Sequence, residues 1–90
     1  MLAAVICTDK KGALDVRLAN RDAHLAYIAS TGIVAQAGPF LDANGDMCGS
    51  LVILDVETLA EAESWAAADP YAQAGLFSDA RIEIWKKVVG

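Results

Sequence analysis

Two stretches of the chain, LAAVICT at residues 2–8 and SLVILDV at 50–56, are apolar almost without a break. Runs of this length and continuity suit strands covered on both faces, since a half-exposed strand alternates apolar with polar. A chain of 90 residues makes one small domain and has little material with which to build two covering layers. Residues 1–90 therefore read as a single domain whose sheet needs help from outside the monomer. Composition points the same way: 56% of residues are apolar and 21% charged, a surplus that suits a subunit interface.

Between and after these runs the pattern changes. From about Leu14 to Ser30, Leu14, Leu18, Leu25 and Ile28 recur at helical spacing with Arg21 filling the gap, which predicts a helix with an apolar leucine face. Asn20 could instead cap a later start, and Gly32 ends the helix. IVAQAGP (33–39) predicts a second strand stopped by Gly38-Pro39, and DANGD (42–46) carries the Asn-Gly turn signal. After the strand at 50–56, Thr58 and Glu61 form a capping box for a helix whose buried stripe is Leu59, Ala62 and Ala66, flanked by Trp65. ARIEIWKKV (80–88) alternates as a last strand. The order β-α-β-β-α-β is that of an α+β, ferredoxin-like fold: a four-stranded antiparallel sheet with two helices on one face. The uncovered face predicts a homodimer through the sheet.

That topology gathers one set of polar residues at one edge of the sheet. The carboxyl ends of strands 1 and 2 meet the starts of strands 3 and 4 there, beside the start of helix 1 and the end of helix 2. Arg17, Arg21, Gly38-Pro39, Gly49-Ser50 and Asp69-Pro70-Tyr71 converge, together with His24, the single histidine. Proline disfavours helix in the residue before it, so helix 2 should stop at Asp69. A carboxylate then stands at the negative end of a helix dipole, where a cation is favoured. Two explanations are open. Asp69 could orient and polarise His24, suiting the imidazole to general acid-base work, or it could form a turn with the backbone amides of DPYA. Ser50 likewise serves either a ligand or a strand-start hydrogen bond. Cys7 and Cys48 read as small buried thiols.

A net charge of −5, with lysines only in isolated pairs, argues against nucleic acid. No apolar segment approaches the about 18 residues that cross a bilayer. MLAAVICTDKKG lacks a basic n-region, so a cytoplasmic location is expected. One histidine and two separated cysteines cannot close a metal site, and no cofactor is expected.

Several motifs, taken together and in order, resemble the YciI-like, or YCII-related, family. They are RLANRDAHLAYI, AGP, the GS that opens strand 3, and WAAADPYAQAGLF followed by IEIWKKV. The resemblance covers nearly the whole chain. It implies a dimeric ferredoxin-like fold and an active site centred on a histidine and an aspartate, which fall here on His24 and Asp69. It also implies that Ser50, Arg17, Arg21 and Tyr71 face the substrate, the arginines suiting an anionic group. One member of the family removes HCl from a chlorinated hydroxyquinol, which implies elimination chemistry. The short FLDANGDMC loop adds little to a pocket.

Three functions follow: an enzyme with His24 as general base, a binding or accessory protein built on the same dimer, and a structural dimer without a pocket. An open cleft with a bound anion would leave the first two, and a closed, solvent-free His-Asp pair would favour the third.

Overall fold

In the computed structural model, which describes all 90 residues, the chain runs β1 (Leu2–Asp9), α1 (Leu14–Thr31), β2 (Val34–Leu41), β3 (Met47–Asp55), α2 (Leu59–Ala68), α3 (Pro70–Gln73) and β4 (Phe77–Trp85). The strands form one antiparallel sheet of order β2-β3-β1-β4, the expected ferredoxin-like arrangement. The two apolar runs are its inner strands. No helix is long and apolar enough to cross a membrane.

Register decides which side chains share a face. Ala3 lies opposite Leu54, Val5 opposite Val52 and Cys7 opposite Ser50. Directly opposed residues point the same way, so this set makes one face of the sheet. It is the covered one: Ala3, Val5, Cys7, Val52 and Leu54 join Val56, Ala62 and Trp65 in a single buried cluster. Leu2, Ala4, Ile6, Leu51 and Ile53 belong to the other face, where the chain supplies no helix. Burying a side chain such as Leu54 or Val52 contributes about 1.5–3 kcal/mol, so the central pairs anchor the sheet.

Helix α2 opens as its sequence predicts. Thr58 Oγ1 accepts from the Glu61 amide at 3.2 Å, while Glu61 reaches back to the Glu57 amide, one residue beyond the usual capping-box partner. Its buried face differs from expectation: Trp65 is buried and Leu59 exposed. The indole explains this, because its Nε1 donates to Thr31 Oγ1 at 2.9 Å and Tyr27 donates to the Trp65 carbonyl, tying α2 to α1.

Helix α1 departs further. Leu18 and Leu25, expected in the core, are about half exposed, whereas Arg17 and His24 are buried. Gly32 ends the helix in the left-handed conformation. Asn20 caps nothing, since its amide donates back to the Val16 carbonyl within the helix. Strand β2 continues through Gly38-Pro39 to Leu41, because as an edge strand it can lose the proline's donor without leaving a neighbour unpaired. β3 and β4 each begin three residues earlier than predicted, at Met47 and Phe77. The Asn-Gly turn forms, with Asp42 Oδ1 accepting from the Asn44 and Asp46 amides.

Gly49 sits where backbones meet. A Cβ there would lie 2.4 Å from the Cys7 carbonyl oxygen and 3.2 Å from the Phe40 ring, whereas one at Gly38 would meet nothing within 4 Å. Gly49→Ala is therefore expected to destabilise the protein by about 2 kcal/mol, and Gly38→Ala to stay within about 0.5 kcal/mol of wild type. Urea denaturation midpoints measure both.

Candidate functional site

Asp69 stands between two helices. It ends α2 and also caps α3, whose first residue is Pro70. A short polar cap followed by proline is a helix-start signal, so the same two residues that stop one helix begin the next. Asp69 Oδ1 accepts from the Tyr71 amide at 3.0 Å and pairs with His24 Nδ1 at 2.7 Å. The carboxylate thus makes both contacts at once, one to the imidazole and one to the turn amide, and α3 is the element that sequence reasoning missed. The pair is enclosed, with the side chains of His24 and Asp69 only 8% and 6% exposed.

The second aromatic contact fixes the imidazole plane. The Tyr71 ring stacks on His24 with centroids 3.9 Å apart and planes 14° from parallel, and meets Phe77 edge to face. Since the Asp69 carboxylate accepts at Nδ1, the proton of neutral His24 sits there and Nε2 carries the lone pair. Nε2 has no partner in the chain, yet no buried side-chain nitrogen or oxygen lacks one. Nε2 is therefore not fully buried.

His24 lines a cleft of about 220 Å³. Arg17, Arg21, His24, Ser50 and Tyr71 supply its polar lining, and Leu25, Ile28, Pro39, Met47 and Val52 much of the rest. A larger hollow of about 430 Å³ lies on the uncovered face of the sheet, but Gln36, Phe40, Leu51, Ile53 and their neighbours give it no titratable group. Of the two, only the smaller is lined by titratable side chains.

Beside His24 lies a second buried charge pair. Arg17, two helical turns before it, binds Asp9 through Nε at 2.7 Å and Nη2 at 2.8 Å, and Nη2 also donates to Ser50 Oγ at 2.8 Å. The guanidinium lies 4.7 Å from the Tyr71 ring centre. Burial alone would lower the Arg17 pKa, but the hydrogen bond and charge of Asp9 outweigh it and the net shift is upward. Removing one partner of such a pair typically costs about 3–5 kcal/mol. Burial raises the Tyr71 phenol, with Asp69 adding and the arginines opposing.

The YCII-related domain profile matches residues 1–86. The chain belongs to the YCII-related family. Protein YciI of Escherichia coli is 37% identical across 98% of this chain and 99% of its own length. An uncharacterised protein of Haemophilus influenzae is 33% identical over the same shares. Among solved structures, 5-chloro-2-hydroxyhydroquinone dehydrochlorinase (TftG) of Burkholderia phenoliruptrix, in complex with 2,5-dihydroxybenzoquinone, matches with a TM-score of 0.89 at 37% identity, covering 96% of this chain and 94% of that one. An antibiotic biosynthesis monooxygenase matches at 0.62 with 14% identity, a likeness of fold alone.

All six residues singled out in this YCII-related sequence lie at one place. Arg17, Arg21, His24, Ser50 and Tyr71 line the cleft, and Asp69 stands behind His24. Arg21 is the exposed member. Asp9 is the buried partner that spacing did not reveal: its context, DKKG, looks like a solvated turn, and only the approach of α1 to the end of β1 encloses it.

Cys7, opposite Ser50 in the sheet, lies beneath the site. Burial, assisted by Asp69 and Asp9, pushes its thiol up from 9.0 to about 12. The unfolded thiol ionises first, so the folded state loses stability as pH climbs from 9.0 toward about 12 and is unaffected by this group at neutral pH. Near pH 8, iodoacetamide should modify Cys48, which is half-buried, and leave Cys7 untouched until the protein unfolds; peptide mass spectrometry distinguishes the two.

Proposed function

We propose that this chain is a cofactor-independent enzyme that takes a proton from a small anionic or aromatic molecule and drives an elimination of the dehydrochlorinase type. The observation that carries the reading is that His24 lines a cleft, with Nε2 unpartnered in the chain while Nδ1 is held by Asp69. In that reaction Nε2 accepts a proton from the substrate, the released electron pair forms a new double bond, and chloride leaves with its bonding pair. Asp69 stabilises the imidazolium so formed and keeps the ring in register. Arg17, Arg21, Ser50 and Tyr71 bind the substrate. The likeness to TftG supports this choice of chemistry, and the cleft beside His24 supports a ligand-binding role over a purely structural dimer. The free thiols of Cys7 and Cys48 suit the cytoplasm.

The expected outcome with 5-chloro-2-hydroxyhydroquinone is chloride release by the wild-type protein, at least about 100-fold slower in His24→Gln and also slowed in Asp69→Asn. Equal rates in wild type and His24→Gln sink the proposal. Binding of 2,5-dihydroxybenzoquinone without any chloride release returns the alternative, a metabolite-binding protein.

A second copy of the chain is the covering layer we propose for the open sheet face, where Ile6 and Leu51 are cross-strand neighbours and Phe40 is exposed. Sedimentation velocity should give twice the chain mass for wild type and a monomer for Leu51→Lys. A wild-type monomer at micromolar concentration ends the idea.

A further inference from the structure

We propose that Asp9 is a positioning residue: by holding Arg17 it keeps the guanidinium away from Asp69 and so reserves Asp69 for His24. This deepens the reading of His24 and Asp69 as the working pair, yet it concerns which side chains pair and not whether a proton is transferred.

The two carboxylates share one neighbourhood. Arg17 and His24 stand two turns apart on one stripe of α1, and both line the cleft. Tyr71 touches both. Its ring stacks on His24 with centroids 3.9 Å apart and lies 4.7 Å from the Arg17 guanidinium carbon. Arg17 also donates to the Tyr71 phenol, and the Tyr71 amide donates to Asp69. Cys7, beneath them, feels all three charges: Asp69 and Asp9 push its thiol up and Arg17 opposes them. Asp69 is the one other carboxylate buried here.

Without Asp9 these groups would pair differently. A guanidinium is permanently charged and can grip a carboxylate through two parallel N–H groups, whereas neutral imidazole offers one. Arg17 is 2% exposed, so water cannot stand in for the missing carboxylate, as it can for the exposed Arg21. Ser50 and Tyr71 accept from Arg17 as well, but hydroxyls cancel no charge. Asp69 is then the acceptor that satisfies Arg17, and His24 loses its partner at Nδ1.

Local structure is arranged around the grip of Asp9. Both of its oxygens go to Arg17, at 2.7 and 2.8 Å, and α1 begins at Ala13 with no side-chain capping bond. The ladder between β1 and β4 shifts register at Thr8 and Asp9, an irregularity of the kind that re-aims a side chain. Ser78 fills it, donating to the Thr8 and Asp9 carbonyls at 3.2 and 3.4 Å.

Nitrogen-15 NMR of the His24 side chain, with the imidazole neutral and no ligand added, tests this directly. Wild type should show one tautomer with a slowly exchanging Nδ1–H. Asp9→Asn, which keeps the shape and removes the charge, should lose that resonance and average the two tautomers. Asp9→Glu should keep the wild-type pattern. Asp9→Asn/Arg17→Met, which also removes the competitor, should restore it, since a buried ion pair can be replaced whole at little cost. A pair that served only to pin α1 to β1 would leave the double variant no better ordered at His24 than the single one. Unchanged His24 signals in folded Asp9→Asn overturn the proposal, and so do mixed tautomers in the wild type. If Asp9→Asn does not fold, the double variant decides: failure to fold, or folding without the wild-type pattern, overturns it. Restored pairing without chloride release removes only the base role of His24.

Discussion

The hydrogen bond from His24 to Asp69 joins the middle of α1 to the junction of α2 and α3. Much of the site depends on it. Asp69 can end one helix and begin another only because its side chain is short enough to cap the second turn while still reaching the imidazole. Tyr71, brought in by that turn, then stacks on the ring it has helped to fix. A site assembled from three helical segments is thereby locked through one carboxylate oxygen, with little left to loop conformation.

The same economy has an energetic side. Two carboxylates, a guanidinium and an imidazole lie inside a small domain, where each charge taken from water is expensive unless it is paired. Here the pairing is complete: no buried side-chain nitrogen or oxygen is without a partner. A well-packed apolar face on α1 would hold the helix at least as firmly. The polar one instead sets two buried charge pairs beside the cleft.

Sequence patterning reached the fold because the inner strands are almost wholly apolar and the capping and turn signals of Thr58, Gly32 and Asn44-Gly45 are local chemistry. It also reached the neighbourhood of the site, since topology brings strand ends and helix ends to one edge. It misassigned α1 because periodicity reports where leucines lie, and Leu18 and Leu25 share a stripe that the fold leaves largely in solvent. Arg17 and His24 lie on the neighbouring stripe, and nothing in hydrophobic spacing says that the charged stripe is the buried one. Asp9 was invisible for a related reason: its partner is eight positions away across a turn, and enclosure comes from tertiary contact. α3 was legible in principle, in the Asp-Pro pair, but that pair also reads as a stop.

The burial pattern of α1 bears on how such a protein can diversify. Arg17 and His24 both line the cleft and are buried within the domain, so change there costs folding stability. The rim is different: Arg21, Leu25 and Pro39 face the same space from exposed positions. Substitutions at the mouth can alter which molecules enter while the buried network stays intact. Variation at those rim positions is thus separable from the packing that holds the floor.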